Sequence, residues 1–221
     1  MSRRVRVALL DSGVFAQHPH IQRPIVGGVT ILPSGDEPGF QDTLGHGTAV
    51  CALVQHMAPD ADVFAVKIFD RQLATSLGTV LRALDWCVKQ QIDIINLSLG
   101  TTNAGHAPAF LEAIAKVRTA GSTLVSAFEA DGQVMLPGSL AGVIGAVMDP
   151  DCPREHCRVR RLAGTAFAAC PYPRDIEGVP RERNLRGVSF SVAHVTAQIA
   201  RMWPSAPPHA DWTALLAADG S

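Results

Sequence analysis

Long apolar runs, charge of one sign and cysteine are all scarce in this chain of 221 residues. The longest apolar region, 135–148, is interrupted by Pro137 and three glycines, so it does not predict a membrane span. The formal net charge is −1, which excludes the overall positive surplus of a nucleic-acid-binding protein. The apolar stretch near the start is short and ends at Asp11, and therefore does not resemble a secretory signal.

The five cysteines are an odd number in a chain with no export signal, so we expect reduced thiols. Cys152 and Cys157 bracket the sequence PREH and allow two interpretations. They are either thiols in an ordinary turn or metal ligands together with His156. A fourth ligand is not nearby in the sequence, so the turn is favoured, and we expect neither a metal nor another cofactor.

Hydrophobic residues make up 47% of the chain, which is enough for a sizeable core. Runs typical of buried strands occur at 4–13, 62–69, 92–100, 122–128 and 142–148, and helical spacing occurs at 46–57, 77–91, 107–121 and 188–203. This alternation predicts an α/β three-layer sandwich with a central, mostly parallel sheet, formed by a single domain over 1–221. The stretch 149–187 predicts a long loop with one short strand.

Chemistry in such sheets occurs where strands end and the following helices begin. Asp11 ends the first predicted strand, His46 opens a helix between Gly45 and Gly47, and Ser189 begins the last helix. A serine hydroxyl becomes nucleophilic when a histidine takes its proton, and a carboxylate orients that histidine. Singly, an aspartate before Ser-Gly is more often a turn and a serine is polar filler, so the combination carries the hypothesis.

Four sequence blocks, VALLDSGV, GHGTAV, NLSLG and GVSFSVAH, resemble those of the subtilisin family of serine peptidases. The similarity extends over nearly the whole chain, and the order Asp, His, Ser is that of subtilisin. The resemblance implies that Asp11 is the orienting acid, His46 the general base and Ser189 the nucleophile. It assigns Ser191 to a packing position and His194 to a structural role in the helix.

The resemblance also implies a substrate site. Ser98, Leu99 and Gly100 match the edge along which an extended peptide pairs its backbone. Ala127 and Phe128 match the wall of the main specificity pocket, where the family has glycine at the position of Phe128. We therefore expect a partly filled pocket and a small substrate residue immediately before the cleaved bond.

Glu129 is the most consequential departure from the family pattern, which has an asparagine here that donates to the oxyanion. An ionised carboxylate would repel that charge, whereas a protonated one can donate. A shifted alignment and a catalytically dead relative are the other interpretations. Loss of one such donor lowers the rate by about 10²–10³-fold, a magnitude measured in subtilisin itself.

Other departures point to a specialised enzyme. Ala49 stands where the family often has a second histidine, and Val188 and Phe190 stand where threonine and methionine are commoner. The inhibitory pro-segment of the family is not found ahead of Asp11. We expect a cytoplasmic enzyme made in its final form, or one processed beforehand.

Two function hypotheses follow. The first is a serine endopeptidase of narrow specificity, such as one that removes a leader from a precursor, whose partner is a peptide or protein rather than nucleic acid or membrane. The second is a catalytically impaired peptide-binding relative; the complete triad favours the first and Glu129 the second. The segment 154–186 has eight arginines against four acidic residues, and either attracts an acidic substrate or is a solvated loop. The sequence does not indicate the oligomeric state.

Overall fold

A computed structural model of the chain describes residues 3–162, 164–207 and 210–219. The ends of the predicted domain, 1–2 and 220–221, lie outside the described residues. The strands are β1 (Arg6–Asp11), β2 (Gly27–Leu32), β3 (Gly35–Glu37), β4 (Asp62–Lys67), β5 (Ile94–Leu97), β6 (Thr123–Ala127), β7 (Glu129–Ala130), β8 (Gln133–Val134), β9 (Val143–Met148), β10 (Arg158–Arg161) and β11 (Thr165–Ala169). The helices are α1 (His46–Met57), α2 (Leu77–Lys89), α3 (Ala107–Thr119), α4 (Val188–Met202) and α5 (Trp212–Asp219).

Nine of the strands in the described residues form one sheet, in the order β10-β11-β9-β6-β5-β1-β4-β2-β3. Neighbouring strands are parallel except at the two edges, where β3 pairs antiparallel with β2 and β10 with β11. The strands β7 and β8 form a separate hairpin. The predicted central, mostly parallel sheet is confirmed.

The side chains of the central strand β1 contribute to two separate cores. Val7 and Leu9 pack on one face with residues of α1 and α4, whereas Ala8 and Leu10 pack on the other with residues of α2 and α3. Because successive side chains of a strand point to opposite faces, one apolar run supplies both layers. The predicted three-layer sandwich is therefore also confirmed.

Helix α4 is the most deeply buried helix, since every residue from Phe190 to Ala200 is buried. It contacts α1 and the strands β5, β6, β9 and β11. This packing on several sides places α4 in the interior and fixes the position of its first turn. Within the described residues, no helix combines the length and apolar character needed to cross a membrane.

The segment 149–187 differs from the prediction of a long loop with one short strand. It contributes two strands, and β11 lies parallel to β9 inside the sheet. The side chains of β10 are mostly exposed arginines, a composition typical of a loop. This segment therefore becomes a strand through its pairing with β11, and its sequence has no alternating apolar pattern that would predict one. The edge strands β2 and β3 and the helix α5 were likewise not predicted.

Candidate active site

The end of β1 and the start of α1 bring Asp11 and His46 together. The side chain of Asp11 is 1% exposed and that of His46 is 15% exposed. Oδ1 of Asp11 accepts a hydrogen bond from Nδ1 of His46 at 2.7 Å and another from the backbone N–H of Ser12 at 2.7 Å. The bond to Asp11 orients the ring and leaves Nε2 as the nitrogen that can accept a proton.

Two glycines permit this close approach. Gly45 has φ of 82°, in the left-handed region that favours glycine. A Cβ on Gly47 would lie 2.2 Å from the carbonyl oxygen of Gly13 and 3.2 Å from Cβ of Asp11. The Gly-His-Gly pattern therefore has a steric reason, because a side chain at position 47 would push α1 away from β1.

Asp42, which the sequence analysis missed, holds the first turn of α1. Its Oδ1 accepts from the backbone N–H groups of Leu44 and Gly45, both at 2.9 Å, and its Oδ2 accepts from the N–H and the hydroxyl of Thr48. These bonds satisfy free amides at the helix start, where negative charge is also favourable. Burial alone would raise the pKa of Asp42, but the hydrogen bonds together lower it below its ordinary value. The acidic residue just ahead of the helical pattern was the signal that could have identified this role.

The surroundings of His46 favour its charged form. Burial alone would lower the pKa of His46, but the hydrogen bond and charge of Asp11 and the charge of Asp42 outweigh that effect. The pKa of His46 is therefore raised above its ordinary value of 6.5. Since a general base must be unprotonated, the ring is ready to accept a proton only above this raised pKa.

Ser189 lies at the same edge, in the first turn of α4. Its hydroxyl donates to the carbonyl oxygen of Ser98 at 3.3 Å. The ring of Phe190, the next residue, lies against the His46 ring with 5.6 Å between their centroids. In the described part of the chain, no hydrogen bond joins His46 to Ser189. The serine hydroxyl must therefore turn from Ser98 before the histidine can accept its proton, and such loose contacts are common in free enzymes.

A buried chain of hydrogen bonds links Ser98 to the helix that carries Ser189. Nδ2 of Asn96 donates to Oγ of Ser98 at 2.7 Å, and Oγ1 of Thr196 in α4 donates to Oδ1 of Asn96 at 3.0 Å. Asn96 and Thr196 were not predicted, because each is an isolated polar position in an apolar run. Their contacts hold the end of β5 against the middle of α4.

The segment Ser98–Gly100 continues from the end of β5. The hydroxyl of Ser126 donates to the carbonyl oxygen of Leu99 at 3.0 Å. Thr101 exchanges two backbone hydrogen bonds with Leu136, at 2.9 and 2.8 Å. These contacts hold the segment on both sides and make it a firmly positioned edge.

Phe128 occupies the space beside the end of β6. Its side chain is 3% exposed and packs with Val147, Ala166 and Ala168. A Cβ on Gly145 would lie 2.7 Å from the Phe128 ring, so the ring fills its surroundings closely. The neighbouring Ala127 is 1% exposed and belongs to the core.

Glu129 follows directly as the first residue of the β7–β8 hairpin. It is half-buried, and its backbone pairs with Val134. Because β6 lies next to β5, this hairpin starts at the sheet edge where Ser98 lies. Glu129 therefore follows the end of β6 at the same edge of the sheet as Ser98.

The two other polar residues of the GVSFSVAH block have structural contacts. The hydroxyl of Ser191 donates to the carbonyl oxygen of Ala169 at 2.9 Å. The two ring nitrogens of His194 lie 3.1 Å from the carbonyl oxygen of Arg154 and 3.0 Å from that of Tyr172. Burial is the main cause that lowers the pKa of His194 to about 4, so this ring is neutral at ordinary pH.

The five cysteines are free and buried. The thiol of Cys152 donates to the carbonyl oxygens of His156 and Ala168, at 3.4 and 3.6 Å. Burial raises the pKa of Cys157 to about 12, which keeps its thiol protonated. Among the residues that the structure describes, no group of three or more His, Cys, Asp or Glu side chains is placed to hold a metal ion.

Some of the arginines in 154–186 form contacts with other residues of the same segment. Arg154 forms a two-fold hydrogen-bonded ion pair with Asp175, at 2.7 and 2.8 Å. The guanidinium of Arg181 lies over the Tyr172 ring, 4.4 Å from its centroid. These arginines tie the segment together, which favours a structural role for them over attraction of an acidic substrate.

Two solved structures resemble the fold. The prenylagaramide maturation protease PagA has a TM-score of 0.68 and 24% identity, with 94% of this chain and 80% of that chain covered. A lanthipeptide protease has a TM-score of 0.70 and 17% identity, with 90% of this chain and 72% of that chain covered. At these identities the likeness concerns the fold alone.

Two relatives have a higher sequence identity to this chain than the two solved structures have, but over shorter stretches. A thermostable alkaline protease of Halalkalibacterium halodurans is 35% identical over 150 residues, which are 63% of this chain and 40% of the relative. An intracellular serine protease of Paenibacillus polymyxa is 33% identical over 109 residues, or 44% of this chain and 33% of the relative. The chain thus spans less than half the length of these relatives.

The sequence model of the subtilase family matches residues 2–147, well over half of the chain. The matched part includes Asp11, His46 and the Ser98–Gly100 edge, and it ends before Ser189. The observed fold and the two similar solved structures are consistent with this sequence match. The chain belongs to the subtilase family.

Proposed function

We propose that this protein is a serine endopeptidase. Ser189 attacks the carbonyl carbon of a peptide bond, His46 accepts the hydroxyl proton, and Asp11 orients the imidazole and stabilises its charged form. His46 then gives the proton to the leaving amine, and water releases the acyl group from Ser189 by the same route. The observation that carries the proposal is the 2.7 Å bond between Asp11 and His46 at the edge where α4 presents Ser189.

The substrate is proposed to bind in an extended form along Ser98–Gly100, with backbone hydrogen bonds as in strand addition. The buried Phe128 ring leaves little room beside the end of β6, so the residue before the cleaved bond is small. A filled pocket of this kind gives narrow specificity. Such specificity suits an enzyme that acts on one dedicated peptide.

Precursor processing is the form of this activity that we propose. PagA is named a maturation protease, and the second structural neighbour a lanthipeptide protease. Removal of a leader or another segment from a precursor peptide is the corresponding reaction here. The five buried, unpaired cysteines suit a reducing compartment, which supports a cytoplasmic location.

A peptide-binding protein without catalysis is the second candidate. Two observations favour it. Glu129 has a carboxyl where the family has an amide, and the hydroxyl of Ser189 bonds to Ser98 rather than to His46. Incubation with a peptide library followed by mass spectrometry of the products separates the two. Recurrent cleavage after a small residue supports the peptidase, and capture of peptides without products supports the binding protein.

Replacing Phe128 by glycine is expected to broaden cleavage to large apolar residues before the cut, because the ring volume becomes available. Removing a buried phenylalanine side chain also destabilises the fold by about 3–5 kcal/mol. Phe167→Ala is the matched control, since Phe167 is equally buried but packs in the core on the α1 and α4 side. Unchanged preferences of Phe128→Gly in the peptide library would contradict the pocket assignment.

The raised pKa of His46 predicts that activity is lost on acidification through a midpoint above pH 6.5, since the protonated ring cannot act as base. Asp42→Asn removes a charge that raises this pKa, so the midpoint is expected to move to lower pH. Glu112→Gln, at an exposed position of α3, should leave the midpoint unchanged. The pH profile of kcat/KM measures both, and an unmoved midpoint in Asp42→Asn would refute the electrostatic role.

A further inference from the structure

The strand β10 forms one edge of the nine-stranded sheet, and its outer side pairs with no other strand of the described chain. On its inner side it pairs antiparallel with β11, and the backbone N–H of Leu162 donates to a carbonyl oxygen across the turn at 2.8 Å. Bonded and non-bonded residue pairs alternate along an antiparallel ladder. The backbones of Leu162, Arg160 and Arg158 therefore face β11. The N–H and C=O groups of Val159 and Arg161 point outward.

The side chains of β10 concentrate positive charge on this edge. Three of the four residues are arginines, and all three are exposed. The guanidinium of Arg158 lies 3.2 Å from a carboxylate oxygen of Asp149. Those of Arg160 and Arg161 have neither a hydrogen bond nor an ion pair within the described residues. Two guanidinium groups are therefore free to pair with an incoming carboxylate.

The arginines of β10 lie on both faces of the strand. Because successive side chains alternate, Arg158 and Arg160 share one face, and Arg161 lies on the other with Val159. Val159 packs against the core that includes residues of α1, α4 and α5. A strand added beside β10 would place every second side chain next to Arg158 and Arg160. The edge is thus suited to acidic residues at alternate positions.

An acidic segment in extended form matches both properties of this edge. Its backbone can pair with the outward N–H and C=O groups, and its carboxylates can pair with the guanidinium groups. Like charges on an edge disfavour pairing between two copies of β10. The opposite edge, β3, is acidic, but it has only three residues, and its Asp36 already pairs with Arg82 at 3.3 Å. A longer acidic peptide is therefore a better partner than the β3 edge of a second copy.

The position of β10 relates this edge to the proposed substrate site. Since β10 is antiparallel to β11, its first residue, Arg158, lies at the edge of the sheet where the parallel strands end. The sheet order puts five strand spacings between β5, which leads to Ser98, and a strand added outside β10. These spacings amount to about 24 Å. An extended peptide covers that distance with about eight residues.

We propose that the outer edge of β10 binds an acidic, extended segment of the precursor peptide by strand addition, about eight or more residues from the cleaved bond. The proposal rests on the proposed function, since the occupant is a peptide cleaved at Ser189. Carboxylates at alternate positions of the segment pair with the arginines. Its backbone bonds to the outward groups of Val159 and Arg161.

Fluorescence anisotropy with full-length Ser189→Ala protein measures this binding without cleavage. The probe is a peptide of about eight residues that alternates glutamate and threonine and carries a terminal fluorescein. Its glutamine counterpart should bind about tenfold more weakly, because it lacks the carboxylates. A counterpart that is N-methylated along its backbone should also bind about tenfold more weakly or not at all, because it cannot form a ladder.

Substitutions and hydrogen exchange locate the contacts. Arg160→Gln combined with Arg161→Gln should weaken binding about tenfold and remove the preference for glutamate over glutamine. Arg118→Gln combined with Arg201→Gln is the matched control, because both arginines are exposed on helices and lack an ion pair within the described residues. Binding of the probe should slow amide exchange in β10, where the outward N–H groups become bonded.

Four results would overturn the proposal. They are absence of binding, equal binding of the glutamate and glutamine probes, equal binding by the test and control variants, and slowed exchange outside β10 alone. Self-association of the protein that the probe does not reverse would instead assign the edge to a second copy and would also overturn it.

Two substrates connect docking with cleavage. Both contain a sequence cleaved in the peptide library, with the acidic segment either about ten or about three residues from the cut. The longer spacing should lower KM about tenfold relative to the shorter one and leave kcat unchanged, because only the longer peptide reaches both places. Equal KM values would refute the role in substrate docking.

Ester hydrolysis by the unmodified protein separates this inference from the proposed function. Turnover of a p-nitrophenyl ester without binding of the acidic probe refutes the docking edge alone. Binding of the probe with the expected pattern but no turnover supports β10 as a peptide-binding edge and refutes the endopeptidase proposal.

Discussion

Replacing Ser189 by alanine is expected to lower kcat by about 10⁴-fold or more, the scale at which members of a Ser-His-Asp triad act. Without the hydroxyl, no acyl-enzyme forms, and His46 has no proton to accept. The bond that Ser189 donates to Ser98 is a single, partly buried contact of 3.3 Å, so its loss should leave the fold intact. Hydrolysis of a p-nitrophenyl ester and of a peptide found in the library measures the effect.

Ser191→Ala is the matched control for this prediction. Ser191 is two residues away in α4, is fully buried, and donates to the carbonyl oxygen of Ala169. Its loss should cost about 1 kcal/mol of folding free energy and leave kcat within a few-fold of the unmodified value. Equal activity of Ser189→Ala and the unmodified protein would show that Ser189 is not the nucleophile.

Replacing Glu129 by alanine is expected to lower kcat by about 10²–10³-fold, the loss that follows removal of one oxyanion donor. In the proposed role, the protonated carboxyl of Glu129 donates to the developing oxyanion, and the backbone N–H of Ser189 supplies a second donor. Without the Glu129 side chain, the Ser189 N–H is the donor that remains in this account, which is the reason for the expected loss.

Glu129→Gln distinguishes this role from a purely structural one. The amide is a permanent N–H donor, so the rate should be kept or raised. Asp131→Asn is the matched control, since Asp131 is an exposed acid in the turn of the same hairpin and asparagine tolerates its φ of 51°. An inactive Glu129→Gln together with an unaffected Glu129→Ala would show that Glu129 is not a donor and that the alignment there is wrong.

The layers of the fold were predictable because each buried strand and helix has its own apolar pattern. The continuous run before Asp11 supplies both faces of β1, and most residues of α4 are apolar. The strands β10 and β11 were not predictable in the same way. The arginines of β10 give no strand pattern, and the short β11 becomes a strand by pairing with β9.

The site was predictable where function and local structure share one motif. Asp11 ends a strand, and His46 lies between two glycines that its helix start requires. Asn96 and Thr196 escaped prediction because their roles depend on a contact across 100 residues of sequence.

Labelling with a fluorophosphonate probe tests the central claim most directly, because the probe reacts with a serine that a histidine activates. The account predicts one adduct per chain, located at Ser189 by peptide mass spectrometry, and loss of labelling in His46→Ala. Labelling should weaken at pH values below the raised pKa of His46. An unlabelled native protein, or an adduct at Ser191 or Ser98 instead, would contradict the triad of Asp11, His46 and Ser189.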